Sequence, residues 1–296
     1  MSGAKDSETF GRRLREAVRA RGPLVVGVDP HETLLRDWGL ADDPAGLRSF
    51  SLRVLEACAE HACALKPQSA FFERHGAAGI DALEELLALA RERGLLTVLD
   101  VKRGDIGSTM AGYADAYLRP GAPLEADAIT LSPYLGFGSL APALELAAEH
   151  GKGVFVLALT SNPDGPEVQH AVTAEGTAIA RAVAESAGER NLAELSATGA
   201  EDEHGWGSTG LVVGATVGAA PAELGIDLAA TRAPLLAPGF GAQGAGPRER
   251  DEVFGPAAER VLVSISRGVL AAGPATAALE ARTRELAAAY AVPSAG

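Results

Sequence analysis

The sequence predicts an α/β chain closed as a (β/α)8 TIM barrel, in a single domain over residues 1–296. Three observations lead there. Short apolar runs recur eight times, and an amphipathic stretch follows each. The runs are apolar nearly throughout instead of alternating with polar residues, as in parallel strands buried on both faces. A length of 296 residues could hold two domains, but α/β barrels run to this size as one. An open, doubly wound sheet is the alternative that shares this pattern.

In order, the strands are expected at Pro23–Val28, Ala62–Leu65, Leu95–Leu99, Ala128–Leu131, Val154–Leu159, Leu211–Val213, Pro234–Ala237 and Val261–Ile265. The helical patterns are Pro44–His61, Phe71–Arg93, Gly107–Leu118, Gly138–His150, Glu167–Arg190, Ala219–Leu228, Pro247–Ala258 and Pro274–Tyr290. Residues 7–21 predict a leading helix that caps the bottom of the barrel. Residues 191–208 form the one obvious insertion. Its segment Ala200–Gly207 is acidic and punctuated by glycine, which predicts a solvated surface loop.

Composition narrows the function. Apolar residues make up 47% and charged residues 22%, enough for a large core and too apolar for disorder. The formal net charge is −13, with no basic stripe, which argues against a nucleic-acid partner. No run of 18 apolar residues predicts a membrane span, and Met1 to Arg21 lacks the apolar core of a signal peptide. Cys58 and Cys63 read as reduced core residues of a cytoplasmic protein. The six histidines show no metal-ligand spacing.

In a (β/α)8 barrel the active site lies at the C-terminal strand ends, and functional residue types appear there run after run. The first ends in Asp29-Pro30, where a carboxylate can accept from ribose hydroxyls or simply make a turn. The second ends in Lys66-Pro67, a lysine that needs a counter-charge if it is buried. The third ends in Asp100, Lys102 and Asp105, with Asp100 and Lys102 on one strand face. An isolated D-x-K also serves as a structural ion pair beside a turn. The fourth ends in Ser132-Pro133-Tyr134, to which no specific contact is assigned. The fifth ends in Thr160-Ser161-Asn162, where Ser161 can both donate and accept. The seventh runs into Pro238-Gly239-Phe240-Gly241-Ala242-Gln243-Gly244. This matches the dinucleotide fingerprint but has no acidic residue about 20 positions on. It suits a phosphate loop better, because glycines let backbone amides approach an anion. The eighth ends in Ser264-Ile265-Ser266-Arg267, and a guanidinium can fork onto phosphate.

The third-strand spacing, D-x-K-x-x-D-I-x-x-T over Asp100 to Thr109, resembles the signature of the orotidine 5'-monophosphate decarboxylase family. The resemblance spans about residues 23–290. It implies catalytic roles for Lys66, Asp100, Lys102 and Asp105 as an alternating charge network. It further implies Asp29 as the ribose ligand, Thr109, Ser161 and Ser266 as substrate contacts, and Gln243 and Arg267 at the phosphate. In that family the second aspartate and the threonine reach the partner subunit's site, which implies a homodimer with shared active sites. The implied substrate is a small nucleotide, with no metal, no cofactor and no membrane partner. The sequence departs from the common pattern in D-I-G-S-T, where many members carry proline after the isoleucine, and in V-D-P-H. Both resemble the longer bacterial subfamily. Two other readings share the barrel. One is a Mg2+-dependent phosphosugar decarboxylase or aldolase, which uses an acidic ligand where this chain has Lys66. The other is a non-catalytic phosphate-binding barrel.

Overall fold

The structure is a computed structural model that describes residues 8–200, 204–241 and 244–291. Eight parallel strands close in sequence order: β1 (Leu24–Val28), β2 (Ala64–Pro67), β3 (Leu96–Arg103), β4 (Ala128–Leu131), β5 (Gly153–Leu159), β6 (Thr209–Val213), β7 (Leu235–Pro238) and β8 (Val261–Ile265). β8 pairs with β1 through Val263–Leu24 and Ile265–Val26. That closure removes the open-sheet alternative.

Alternation along the strands sorts the core into two shells. Val25, Ala64, Val98, Ala128, Phe155, Val212, Leu236 and Leu262 cluster together inside the barrel. Their neighbours, such as Val26, Leu65, Leu99, Ile129 and Val263, pack outward against the helices. The inward rows of β1, β2, β3, β4 and β8 are apolar at the bottom and polar at the top. Val25 is followed at two-residue steps by Gly27 and Asp29, Ala64 by Lys66, Val98 by Asp100, Ala128 by Thr130, and Leu262 by Ser264 and Ser266. The inward rows therefore gather their polar side chains at the C-terminal mouth.

The leading helix is Phe10–Arg21. Thr9 caps it by accepting from Arg12 N, and it ends at Gly22 with φ 80°. Phe10 and Leu14 are fully buried against the inner core. Phe10 fills the space that Gly153 leaves open, since a Cβ there would lie 2.1 Å from the Phe10 ring. Arg13 fastens the helix by donating to Asp127 at 2.7 Å and to the Gly151 carbonyl at 2.9 Å.

Several expectations change in detail, among them Ala219–Leu228, which shortens to Ala220–Glu223. The stretch Phe71–Arg93 divides into Ala70–Glu73 and Gly76–Glu92, because Gly76 takes φ 63°. The stretch Glu167–Arg190 divides into Gly165–Gln169 and Ile179–Thr198, separated by a bridge between Val172 and Ala178. The expected insertion at 191–208 begins as helix, while its glycine-punctuated part is irregular where it is described. Residues up to Thr198 continue that helix, and residues 201–203 lie outside the described residues. Asn191, fully buried, donates to the carbonyls of Thr209 and Thr231 and accepts from Thr209 N. Trp206 is buried beside Phe10 and Leu14 in the inner core. The acidic, glycine-punctuated composition concealed those two anchors. Cys58 and Cys63 are free and buried, and burial pushes both thiols up to about 12.

Candidate active site

Lys66, Asp100 and Lys102 meet at the mouth. Lys66 Nζ donates to Asp100 Oδ2 at 3.2 Å and lies 4.0 Å from Asp29 Oδ1. Lys102 Nζ donates to Asp100 Oδ1 at 2.6 Å. Thr130 Oγ1 donates to the same oxygen at 2.7 Å. With its amide turned to donate, Gln68 reaches Asp100 Oδ2 at 2.9 Å and the Asp100 carbonyl at 2.8 Å. Asp100 and Lys66 are buried, whereas the Lys102 side chain keeps 45% of its surface exposed.

The charges fix one another. Burial alone would raise the Asp100 pKa, but the ammonium groups of Lys66 and Lys102, with the Lys102 and Thr130 hydrogen bonds, hold it below the usual carboxylate value. Burial likewise disfavours the Lys66 ammonium, yet Asp29 and Asp100 together raise its pKa. At neutral pH the mouth therefore carries a charged ammonium–carboxylate–ammonium row. Removing Lys66 would leave a buried carboxylate short of a partner, at about 3–5 kcal/mol for such pairs.

β3 reaches Arg103, well past the expected end at Leu99, and does so irregularly. Its pairing with β4 shifts register between Leu99 and Arg103. Lys102 takes φ 44°, a left-handed conformation rarely found outside glycine. The Lys102 backbone N–H donates to Thr130 Oγ1 at 2.9 Å. Thr130 and Gln68 are the site residues that motif reading missed. The inward step from Ala128 to Thr130, and from Lys66 to Gln68, is the signal that would have found them.

A cleft of about 690 Å³ opens beside this row, lined by Asp29, Lys66, Gly239, Ser264, Ser266 and Arg267 among others. Asp29 Oδ1 and Ser266 Oγ are buried there without a hydrogen-bond partner. Leaving such atoms unpaired costs about 1–3 kcal/mol each, so they suit a ligand rich in hydroxyls. Gly27 permits the arrangement, since a Cβ there would come within 2.7 Å of Ser266 Cβ. The loop after β7 turns through Gly239, Gly241 and Gly244, all at positive φ. The Gly241 N–H donates to the Ala245 carbonyl at 2.9 Å. Gln243 lies outside the described residues. Arg267 is exposed at the start of the short helix Arg267–Leu270.

Ser161 follows β5 on the exposed rim, close enough to Gly214 that a Cβ there would lie 3.2 Å from Ser161 Cβ. Asp105 and Thr109 are not brought to the charge row. Asp105 Oδ1 accepts from the Ile106 N–H at 2.8 Å, and no ion pair joins Asp105 to Lys66 or Lys102 among the described residues. Thr109 is exposed on the helix Gly107–Leu118. Between them Ile106 is 62% exposed. The loop after β4 runs alongside, with the Ser132 N–H donating to the Arg103 carbonyl at 2.8 Å. That loop exposes Tyr134 and Leu135 at 78% and 53%.

Residues 22–282 match the sequence profile of the Orotidine 5'-phosphate decarboxylase / HUMPS family. The chain belongs to this family. An orotidine 5'-phosphate decarboxylase of Streptomyces coelicolor is 54% identical over 273 residues, covering 92% of this chain and 93% of the relative. One from Corynebacterium efficiens is 46% identical over 284 residues, covering 96% and 98%. A crystal structure from Streptomyces avermitilis, described as a candidate orotidine 5'-phosphate decarboxylase, superposes with a TM-score of 0.89. It is 50% identical, with 98% of both chains covered. The OMP decarboxylase of Leishmania donovani superposes with a TM-score of 0.72 at 32% identity, covering 95% of this chain and 99% of that one. The decarboxylase family's barrel is thus the barrel seen here, with bacterial relatives of matching length. Among the described residues no helix is long and apolar enough to cross a membrane.

Proposed function

We propose that this chain decarboxylates orotidine 5'-monophosphate to UMP without a cofactor, the final step of de novo pyrimidine nucleotide synthesis. Breaking the C6–carboxylate bond releases CO2 and leaves an electron pair on C6 that the ring cannot readily delocalise. A fixed ammonium beside C6 is attracted more strongly as that charge develops, which lowers the barrier. Lys102 is the group that supplies it. Its ammonium then gives a proton to C6 and recovers one from solvent. Asp100 orients Lys102, and Lys66 keeps Asp100 ionised. The observation that carries this reading is the row Lys66–Asp100–Lys102, buried at one end and half-exposed at the other.

In this assignment Asp29 binds ribose hydroxyls, Ser161 the pyrimidine edge, and Gln243, Ser266 and Arg267 the phosphate. Asp105 and Thr109 complete the site of a second copy in a homodimer. Exposed Ile106, Tyr134 and Leu135 flank that rim and supply apolar surface for the contact. The enzyme would work in the cytoplasm on a free nucleotide.

Loss of absorbance at the orotate band, after purified protein is added to orotidine 5'-monophosphate, tests the function. Turnover unaffected by a chelator is expected. Turnover abolished by the chelator would favour a metal-dependent barrel, a reading that Lys66 opposes because its ammonium would repel a divalent cation. Binding without turnover would leave only a phosphate-binding protein.

The phosphate end makes a separate prediction. Arg267→Ala should cost about 2–5 kcal/mol in kcat/KM for the nucleotide, as for other charged contacts. It should barely change the slow reaction of the nucleoside, which lacks the group. Phosphite should activate the nucleoside reaction in the wild type and much less in the variant. Equal slowing of both substrates would remove Arg267 from the phosphate site.

A further inference from the structure

We infer that Thr130 is the positioning residue that aims Lys102, a role that rests on Lys102 being the reacting ammonium proposed above. One hydroxyl makes two opposed contacts. Thr130 Oγ1 accepts from the Lys102 backbone N–H at 2.9 Å and donates its own proton to Asp100 Oδ1 at 2.7 Å. Because a hydroxyl has a single proton, these two directions are mutually fixed: the proton given to the carboxylate leaves a lone pair for the amide. Thr130 is 1% exposed on β4, in the inward row above Ala128, so water does not compete for either bond.

The contact falls where the backbone needs it. Lys102 sits at φ 44° inside the register shift of β3 against β4. A non-glycine residue held there costs on the order of 1–3 kcal/mol, and persists only where its surroundings overdetermine it. In a regular strand the Lys102 amide would face β2, as the Asp100 carbonyl does in accepting from the Ser69 N–H; here it turns to a β4 side chain. The same oxygen of Asp100 that receives the Thr130 proton also receives the Lys102 ammonium at 2.6 Å. Backbone and side-chain ends of Lys102 are therefore tied to one small cluster, and Thr130 is the tie between them. Thr130 is nearly fully buried and acts through Asp100 and Lys102.

Thr130→Val keeps the shape and removes both bonds, and Thr130→Ser keeps the hydroxyl and loses only a methyl group. Thr130→Val should lower kcat about 10- to 100-fold, the range for a hydrogen bond to a charged group. Its affinity for UMP should stay within about threefold of the wild type, since binding without chemistry does not need the aimed ammonium. Asp100, having lost a donor, should ionise at higher pH, so the acid limb of kcat/KM should move upward. Thr130→Ser should restore kcat and the pH profile. If Thr130→Val does not accumulate as a folded protein, Thr130→Ala against Thr130→Ser gives the same contrast. A valine variant within about twofold of wild type in kcat, or a serine variant impaired as badly as valine with UMP affinity lost in parallel, would overturn the assignment. Lys102→Ala measured alongside separates the two levels. Turnover kept by Lys102→Ala removes the proposed mechanism and this role with it. Turnover lost there but kept by Thr130→Val removes only the role of Thr130.

Discussion

Lys102→Ala should abolish decarboxylation by about ten-thousand-fold or more in kcat, because it removes both the developing-charge stabiliser and the proton donor, effects of about 10²–10³ and 10²–10⁴ when measured singly. The fold should survive. Asp100 keeps Lys66 and Thr130 as partners, and the Lys102 side chain is half-exposed, so the variant leaves no buried charge without a partner. Its unfolding temperature should lie close to that of the wild type, and UMP should still bind. Single-turnover measurement with the nucleotide, beside UMP titration, separates these effects. Near-normal turnover would remove Lys102 from the chemistry. The opposite substitution, Lys66→Ala, should damage stability more than Lys102→Ala does, because Lys66 and Asp100 are both buried.

Mixing two dead variants should restore activity. Asp105→Ala and Lys102→Ala homodimers should each be nearly inactive. A mixed dimer places both lesions in one site and none in the other. With random exchange half the dimers are mixed and half of their sites are whole, so about a quarter of wild-type activity should return. The expectation comes from geometry as well as resemblance. Asp105 and Thr109 lie on the rim with Ile106, Tyr134 and Leu135, away from the charge row of their own chain. If exchange is verified by a mass-tagged subunit and no activity returns, Asp105 works within its own chain.

The strands were legible because burial on both faces leaves a nearly unbroken apolar run, as in Val261–Ile265, which the structure reproduces residue for residue. The charge row was legible because lysine and aspartate are out of place after such runs, and Lys66, Asp100 and Lys102 do converge. Thr130 was not, since Ile129-Thr130-Leu131 reads as ordinary β-branched strand filler. Nor was the left-handed turn at Lys102, where no glycine announces it. Helix breaks at Gly76 and before Ile179 were hidden by good helix formers on either side. Residues 191–198 looked like insertion because nothing local reveals that Asn191 bonds to the carbonyls of Thr209 and Thr231 further along the chain.

Phe10, set against Gly153 at the bottom of the barrel, gives the molecule a floor. With the inner row of Val25, Val98, Leu236 and Leu262 above it, nothing passes through that end. The enzyme is a vessel with one door. In the proposed reaction nucleotide would enter, and gas and product would leave, through the mouth that Arg267 borders. Traffic there would be sequential: carbon dioxide, small and uncharged, could slip out around a seated nucleotide, whereas UMP would have to wait for the proposed phosphate contacts to release. A phosphate grip of the proposed kind would then also be the latch on the exit, and tightening it beyond a point would slow turnover.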